Sequence, residues 1–151
     1  LLAPGLGFGA LMVLGTHFAL TGSYSWTALV ASLVPTFQVS NLLLLNQFPD
    51  VEADRTVGRL HYPITIGRRA SARIYGAFLL LSYVAVVAGV ILGLLPAASL
   101  IALLTAVLAW RAFRGASAHA DDIPALAPFM GLNVIVCLAT PVLLALGLLL
   151  A

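Results

Sequence analysis

Apolar residues run through this chain in blocks long enough to cross a bilayer, separated by short connectors rich in polar residues, glycine and proline. A hydrocarbon core needs about 20 apolar residues per helix, and the blocks accordingly predict about five spans. They cover Leu6 to Leu20, Trp26 to Leu45, Ile74 to Leu95, Ala97 to about Phe113, and Phe129 to Leu150. In the first, Gly7, Gly9 and Gly15 lower intrinsic helix propensity, but small residues let membrane helices approach one another closely. Thr21 to Trp26, "TGSYSW", reads as a turn with two aromatics of the kind that settle at the lipid–water boundary. Pro35 removes a backbone donor inside the second span and predicts a kink. Beyond it, Gln38, Ser40 and Asn41 face either a polar cavity or hydrogen-bonding partners on neighbouring helices. Asn133 and Pro141 lie inside the last span. The predicted fold is an all-α, polytopic transmembrane helical bundle, with residues 1–151 forming a single membrane domain.

Composition agrees with a membrane solvent. The chain is 62% hydrophobic and 8% charged, where soluble domains hold roughly 45–50% apolar and 25% charged residues. All seven basic residues are arginine, set against five acids, so nothing supports a nucleic-acid-binding face. Arg55, Arg59, Arg68, Arg69 and Arg73 lie between spans two and three, and Arg111 and Arg114 follow span four. The other two connectors carry no charge, so the positive-inside bias makes the arginine-bearing end cytoplasmic. A single cysteine, Cys137, excludes an internal disulfide framework and a multi-cysteine metal site. The opening "LLAPGLGFG" has neither an initiator methionine nor a charged region before an apolar core. It reads as a chain entered midway rather than as a signal peptide.

The charges that remain are gathered. "NQFPDVEADRTVGR", Asn46 to Arg59, holds three carboxylates and two arginines. Asp50 and Asp54 are four residues apart, so on a helix their carboxylates stand on one face; Pro49 suits the first turn of such a helix. Like charges that close repel one another unless a cation lies between them. Magnesium is the natural candidate, being a hard ion commonly held by one or two carboxylates together with substrate phosphates. Arg55 and Arg59 supply guanidiniums that can fork onto phosphate oxygens. Spacing alone leaves a second reading open, a solvated loop whose charges neutralise one another.

The longer string "NQFPDVEADRTVGRLHYPITIG" resembles the second aspartate-rich motif of the UbiA superfamily of intramembrane prenyltransferases. Asn46, Asp50, Asp54, Arg55, Gly58, Arg59 and Gly67 fall where that motif has Asn, D-x-x-x-D, a basic residue, Gly, a second basic residue and, after a short extended stretch, another Gly. "VLGTHFALTGSYSWTALVASL" and "NVIVCLATPVLLALGLLLA" are similar to the flanking helices of the dihydroxynaphthoate prenyltransferases of menaquinone synthesis. The resemblance covers nearly the full chain and corresponds to roughly the last five of nine family helices.

Several expectations follow from the resemblance. Asp50 and Asp54 would hold Mg²⁺ on a polyprenyl diphosphate, Arg59 and Arg55 would hold the diphosphate, and Asn46 would orient a metal ligand or bound water. An aromatic acceptor of the dihydroxynaphthoate type would receive the prenyl group at the inner membrane of a prokaryotic cell. Hydroxybenzoate, haem, chlorophyll-type or glycerol phosphate acceptors stay open, as does a non-catalytic membrane protein. The first aspartate-rich motif of the family is absent from residues 1–45, so the N-terminal half would be required and these residues alone would be inactive. Thr65 stands where family members often carry a further basic residue, and "RLHYP" replaces a more usual basic-Thr-Leu-Pro.

Other polar residues are assigned structural roles. His17 is expected to be buried and hydrogen-bonded within the first span, and His61 and Tyr62 to cap or pack in the loop. Glu52 reads as a solvated charge and His119, Asp121 and Asp122 as a small polar cluster. Arg68, Arg69 and Arg73 would anchor the cytoplasmic end of span three, with headgroup or diphosphate contact as the second reading, and Trp110 would lie at the interface.

Overall fold

A computed structural model describes residues 1–150. Those residues form six helices and no strand: α1, Leu2–Thr21; α2, Trp26–Thr56; the single turn α3, Tyr62–Thr65; α4, Arg68–Ile91; α5, Ala97–Ala118; and α6, Ile123–Leu149. Five of these, all but α3, are long and apolar enough to cross a membrane. The protein is an integral membrane helical bundle.

The spans stand where the apolar blocks predict them, but their ends differ. Most consequential is α2, which does not stop at Leu45 but runs on through Pro49 and the acidic segment to Thr56. Pro49 therefore lies inside a long helix rather than at the first turn of a new one. α4 starts six residues before Ile74, at Arg68, and stops at Ile91, where Gly93 takes a left-handed turn at φ +69°. Most of the connector expected after span four is helical, because α5 continues to Ala118 and α6 begins at Ile123. The first nine residues of α5, Ala97–Thr105, are wound as a 3₁₀ helix. Ser25 and Asp122 cap α2 and α6 with side-chain oxygens on the amides of Ala28 and Ala125, at 3.0 and 3.1 Å.

α2 is the central element and packs against α1, α4 and α6. Its contact with α1 depends on glycine. A Cβ at Gly5 or Gly9 would run into the backbone of Thr36, whereas Gly7 and Gly15 face open space. The close-approach reading thus holds for Gly9, extends to Gly5, and fails for the other two. A wide π turn over Leu6–Leu11 accommodates this segment.

Two apolar clusters fill the bundle. One, around Leu44, Phe48, Tyr75, Ala112 and Leu126, lies toward the charged end; the other, around Val34, Val86, Ala102 and Leu144, lies toward the opposite end. Polar residues within the spans link helices. Asn41 Nδ2 donates to the Tyr75 carbonyl at 3.0 Å, and the Tyr75 hydroxyl donates to Asn133 Oδ1 at 2.9 Å. Gln38 Nε2 reaches Ser82 Oγ at 3.4 Å, and Thr105 Oγ1 lies 2.8 Å from Thr140 Oγ1. Of the two readings, hydrogen bonding to a neighbouring helix is the one observed for Gln38 and Asn41, while Ser40 donates to the Thr36 carbonyl of its own helix; all three are buried. His17 departs from expectation, being only half-buried on a helix whose last ten residues include no buried side chain.

Candidate functional site

The acidic segment and the connector after α5 meet at one end of the bundle. Arg69 Nε donates to Asp121 Oδ2 at 2.9 Å, which ties the two charged connectors together. Asp122 is engaged as the α6 cap, and His119 stacks on Phe129 with ring centroids 5.6 Å apart. The small cluster of His119, Asp121 and Asp122 is therefore occupied in holding the fold.

Because α2 continues past the apolar core, Asn46, Asp50 and Asp54 fall on one helical ridge at four-residue spacing. Asn46 and Asp50 are exposed. Asp54 is mostly covered, with its side chain 17% exposed. The intervening Phe48 and Val51 turn into the core, so the ridge is rigidly backed by packed residues. Glu52 points away from it, as expected of a solvated charge, but is not isolated: Arg55 Nη1 lies 3.6 Å and Arg68 Nη2 3.9 Å from its carboxylate.

The helix stop positions the next residues. Gly58 N–H bonds the Arg55 carbonyl at 3.3 Å and Arg59 N–H bonds the Asp54 carbonyl at 3.0 Å, the paired closure of a Schellman turn. That turn needs a left-handed residue, which Gly58 supplies at φ +74°. It folds the chain back so that Arg59 Nη1 reaches Asp54 Oδ1 at 3.3 Å. His61 follows, with Nε2 3.2 Å from Asp54 Oδ2. The imidazole is only 11% exposed, and the approach is not aligned as a hydrogen bond, so both buried ring nitrogens are without one. One turn of helix, α3, then occupies the stretch that the resemblance makes extended, with Pro63 buried in its first turn. Gly67, at φ +86°, opens α4.

Arg68 closes the site from below. Its side chain is 16% exposed and Nε donates to the Phe48 carbonyl at 2.9 Å, so it braces α2 one turn from the acidic ridge. From the sequence, Arg68 reads as a membrane anchor and His61 as a residue that caps or packs in the loop. Both contact the ridge helix through tertiary turns that spacing does not encode, although their proximity to Gly58 and Gly67, the two chain reversals, is a usable signal.

The structure thus gathers Asn46, Asp50, Asp54 and Arg59; it turns Arg55 away, toward Glu52. As a donor set for a metal, the ridge offers two carboxylates and a carboxamide oxygen, all hard ligands. Among the described residues no group of three or more His, Cys, Asp or Glu side chains converges on one point. Two carboxylates completed by substrate oxygens is an arrangement that suits Mg²⁺, which needs few protein ligands. Neither a curated protein nor a solved structure matches this chain. The model of the UbiA prenyltransferase family does, over residues 3–135. That match spans most of the described bundle, including all of α2 and the acidic ridge, and the chain belongs to the UbiA prenyltransferase family.

Proposed function

We propose that this chain carries the diphosphate-binding side of a Mg²⁺-dependent transfer of a polyprenyl group from polyprenyl diphosphate to an aromatic acceptor. One observation carries the reading: Asn46, Asp50 and Asp54 share one ridge whose first two members are exposed, with Arg59 folded back onto Asp54 by the Gly58 turn. A solvated loop would not require a rigid helix backed by Phe48 and Val51, nor a conformationally demanding glycine at its end.

In this reading Asp50 and Asp54 hold Mg²⁺. When bound, the ion supplies positive charge to the departing diphosphate. Asp50 makes no ion pair among the described residues, and so is free to ligate. Asp54 exchanges its partner: Arg59, whose side chain is 73% exposed, leaves the carboxylate and turns its donors onto phosphate oxygens. Asn46, one turn before Asp50, orients a ligand or water. Arg55, paired with Glu52 away from the ridge, reaches the diphosphate only by leaving that carboxylate. The allylic C–O bond to the diphosphate breaks, a ring carbon of the acceptor forms the new C–C bond, and the ring proton leaves. Fixed positive groups aimed at the leaving oxygens stabilise this charge separation at low dielectric.

Asp50 and Asp54 on α2, with the Asn46 carboxamide, supply one acidic wall of the site, and in this reading activity requires a second one facing it. A dihydroxynaphthoate-type acceptor of menaquinone synthesis is the most economical assignment, resting on the flanking-helix resemblance. The arginine-rich end faces the cytoplasm of a prokaryotic cell. The test is Mg²⁺-dependent transfer of labelled prenyl diphosphate by the full-length protein and its Asp50→Asn and Asp54→Asn variants. Loss of transfer at unchanged membrane abundance supports the site; full activity in both variants sinks it.

A further inference from the structure

A second feature lies outside the acidic ridge. α4 and α5 line an open groove of about 420 Å³ that includes Arg73, within the range of ligand pockets. Its walls are Ala77, Leu80, Ala109, Trp110 and Phe113, and its one charged member is Arg73. Two of its lining residues approach closely: the Phe113 ring lies where a Cβ on Gly76 would go.

Arg73, the cation that lines the groove, has no counter-charge among the described residues. Among the described residues Arg73, Arg111 and Arg114 make no salt bridge, and all three are exposed. The nearest carboxylates along the chain are taken, Asp121 by Arg69 and Asp122 by the α6 amides. Depth gives a second constraint. From Arg73 to Tyr83, both lining residues, the helix rises about 15 Å, which is about half of a 30 Å hydrocarbon core. Trp110, 59% exposed at the same end, is the kind of ring that lies among headgroups. A cation at headgroup level above a one-leaflet apolar slot is complementary to an anionic headgroup carrying an apolar chain.

We propose that the α4–α5 groove binds an anionic phospholipid of the surrounding leaflet, one acyl chain lying along Leu80 and Phe113 and the phosphate on Arg73. The site is separate from the acidic ridge and independent of the reaction proposed for it.

Native mass spectrometry of the delipidated full-length protein tests this with dioleoyl phosphatidylglycerol and dioleoyl phosphatidylcholine at equal concentration. Phosphatidylglycerol should bind at least fivefold more tightly, and Arg73→Gln should remove about fivefold of that preference, the contribution of one arginine near an anionic headgroup. Arg69→Gln changes the net charge equally at the same end and should leave the preference intact. Ala77→Trp, which fills the slot at an exposed position, should weaken both lipids alike; Leu80→Trp serves if that variant does not fold. Equal loss in Arg69→Gln and Arg73→Gln would reduce the effect to general surface charge and overturn the proposal. So would tighter Arg73-dependent binding of a polyprenyl diphosphate, or conversion of a dimer to monomer by Ala77→Trp with lipid binding unchanged.

Discussion

Two stretches of the same helix, one turn apart, use polar residues in opposite ways. From Gln38 to Asn41, α2 buries its amides and hydroxyls and ties them to α4 or to its own backbone. From Asn46 to Asp54 it presents an amide and two carboxylates on a ridge whose first two members are exposed. The backbone geometry is common to both, so the difference lies in what faces each stretch. In the first, α4 supplies partners for Gln38 Nε2 and Asn41 Nδ2, while Asn41 Oδ1 is buried without one. In the second, no helix covers the ridge, and only Asp54 is engaged, through Arg59 and His61. Polar residues held by the fold stabilise the bundle; polar residues left uncovered are available to a ligand.

Substitutions can break this contrast in decreasing order of effect. Asp50→Asn and Asp54→Asn should each lower the turnover of the full-length enzyme by on the order of 10²–10³, the loss seen when one group stabilising transition-state charge is removed, with thermal stability unchanged. A steady-state assay beside a melting curve checks both halves of that statement. Gly9→Leu acts on the packed side: its side chain meets Thr36, and overpacking of this kind costs about 1–3 kcal/mol, read as a lower midpoint of unfolding in detergent. Tyr75→Phe deletes the hydroxyl that donates to Asn133 and should cost roughly 0.6 kcal/mol, the average for an interhelical hydrogen bond in a membrane. Its turnover per folded molecule should match the parent's. Glu52→Gln is the smallest change. The carboxylate is 70% exposed with arginines at 3.6 and 3.9 Å, so stability should move by less than about 0.5 kcal/mol and activity not at all. A large loss of transfer in this variant would mean that the ridge has been drawn on the wrong face of α2.

Hydrophobic blocks made the five spans legible, since about 20 apolar residues have one stable arrangement in lipid. The limits of those spans were less so. Charge at Asp50 marks where α2 leaves the hydrocarbon, but helix hydrogen bonding is local and does not end there; Phe48 and Val51 still find a core to pack against. Pro49 read as a helix start because its missing donor is harmless in a first turn, yet the long helix tolerates it. The pairing of Asp50 with Asp54 and the chain reversal at Gly58 were both visible as spacing. The placements of His61 beside Asp54 and of Arg68 on the Phe48 carbonyl were not, because they depend on how α3 and α4 return against α2. The choice between cavity and helix contact for Asn41 also required the neighbours, since the same amide suits either. The family assignment over residues 3–135 agrees with the motif carried by Asn46 to Gly67.

The central claim is that Asp50 and Asp54 bind a divalent ion together with the substrate's diphosphate. Electron paramagnetic resonance of Mn²⁺ in place of Mg²⁺, with full-length protein and a non-reacting thio-diphosphate analogue of the prenyl donor, measures that binding without turnover. The free Mn²⁺ signal should fall when protein and analogue are both present, and each of Asp50→Asn and Asp54→Asn should weaken the ion by about 10–100-fold. Mn²⁺ held equally well by the double variant Asp50→Asn/Asp54→Asn would contradict the account.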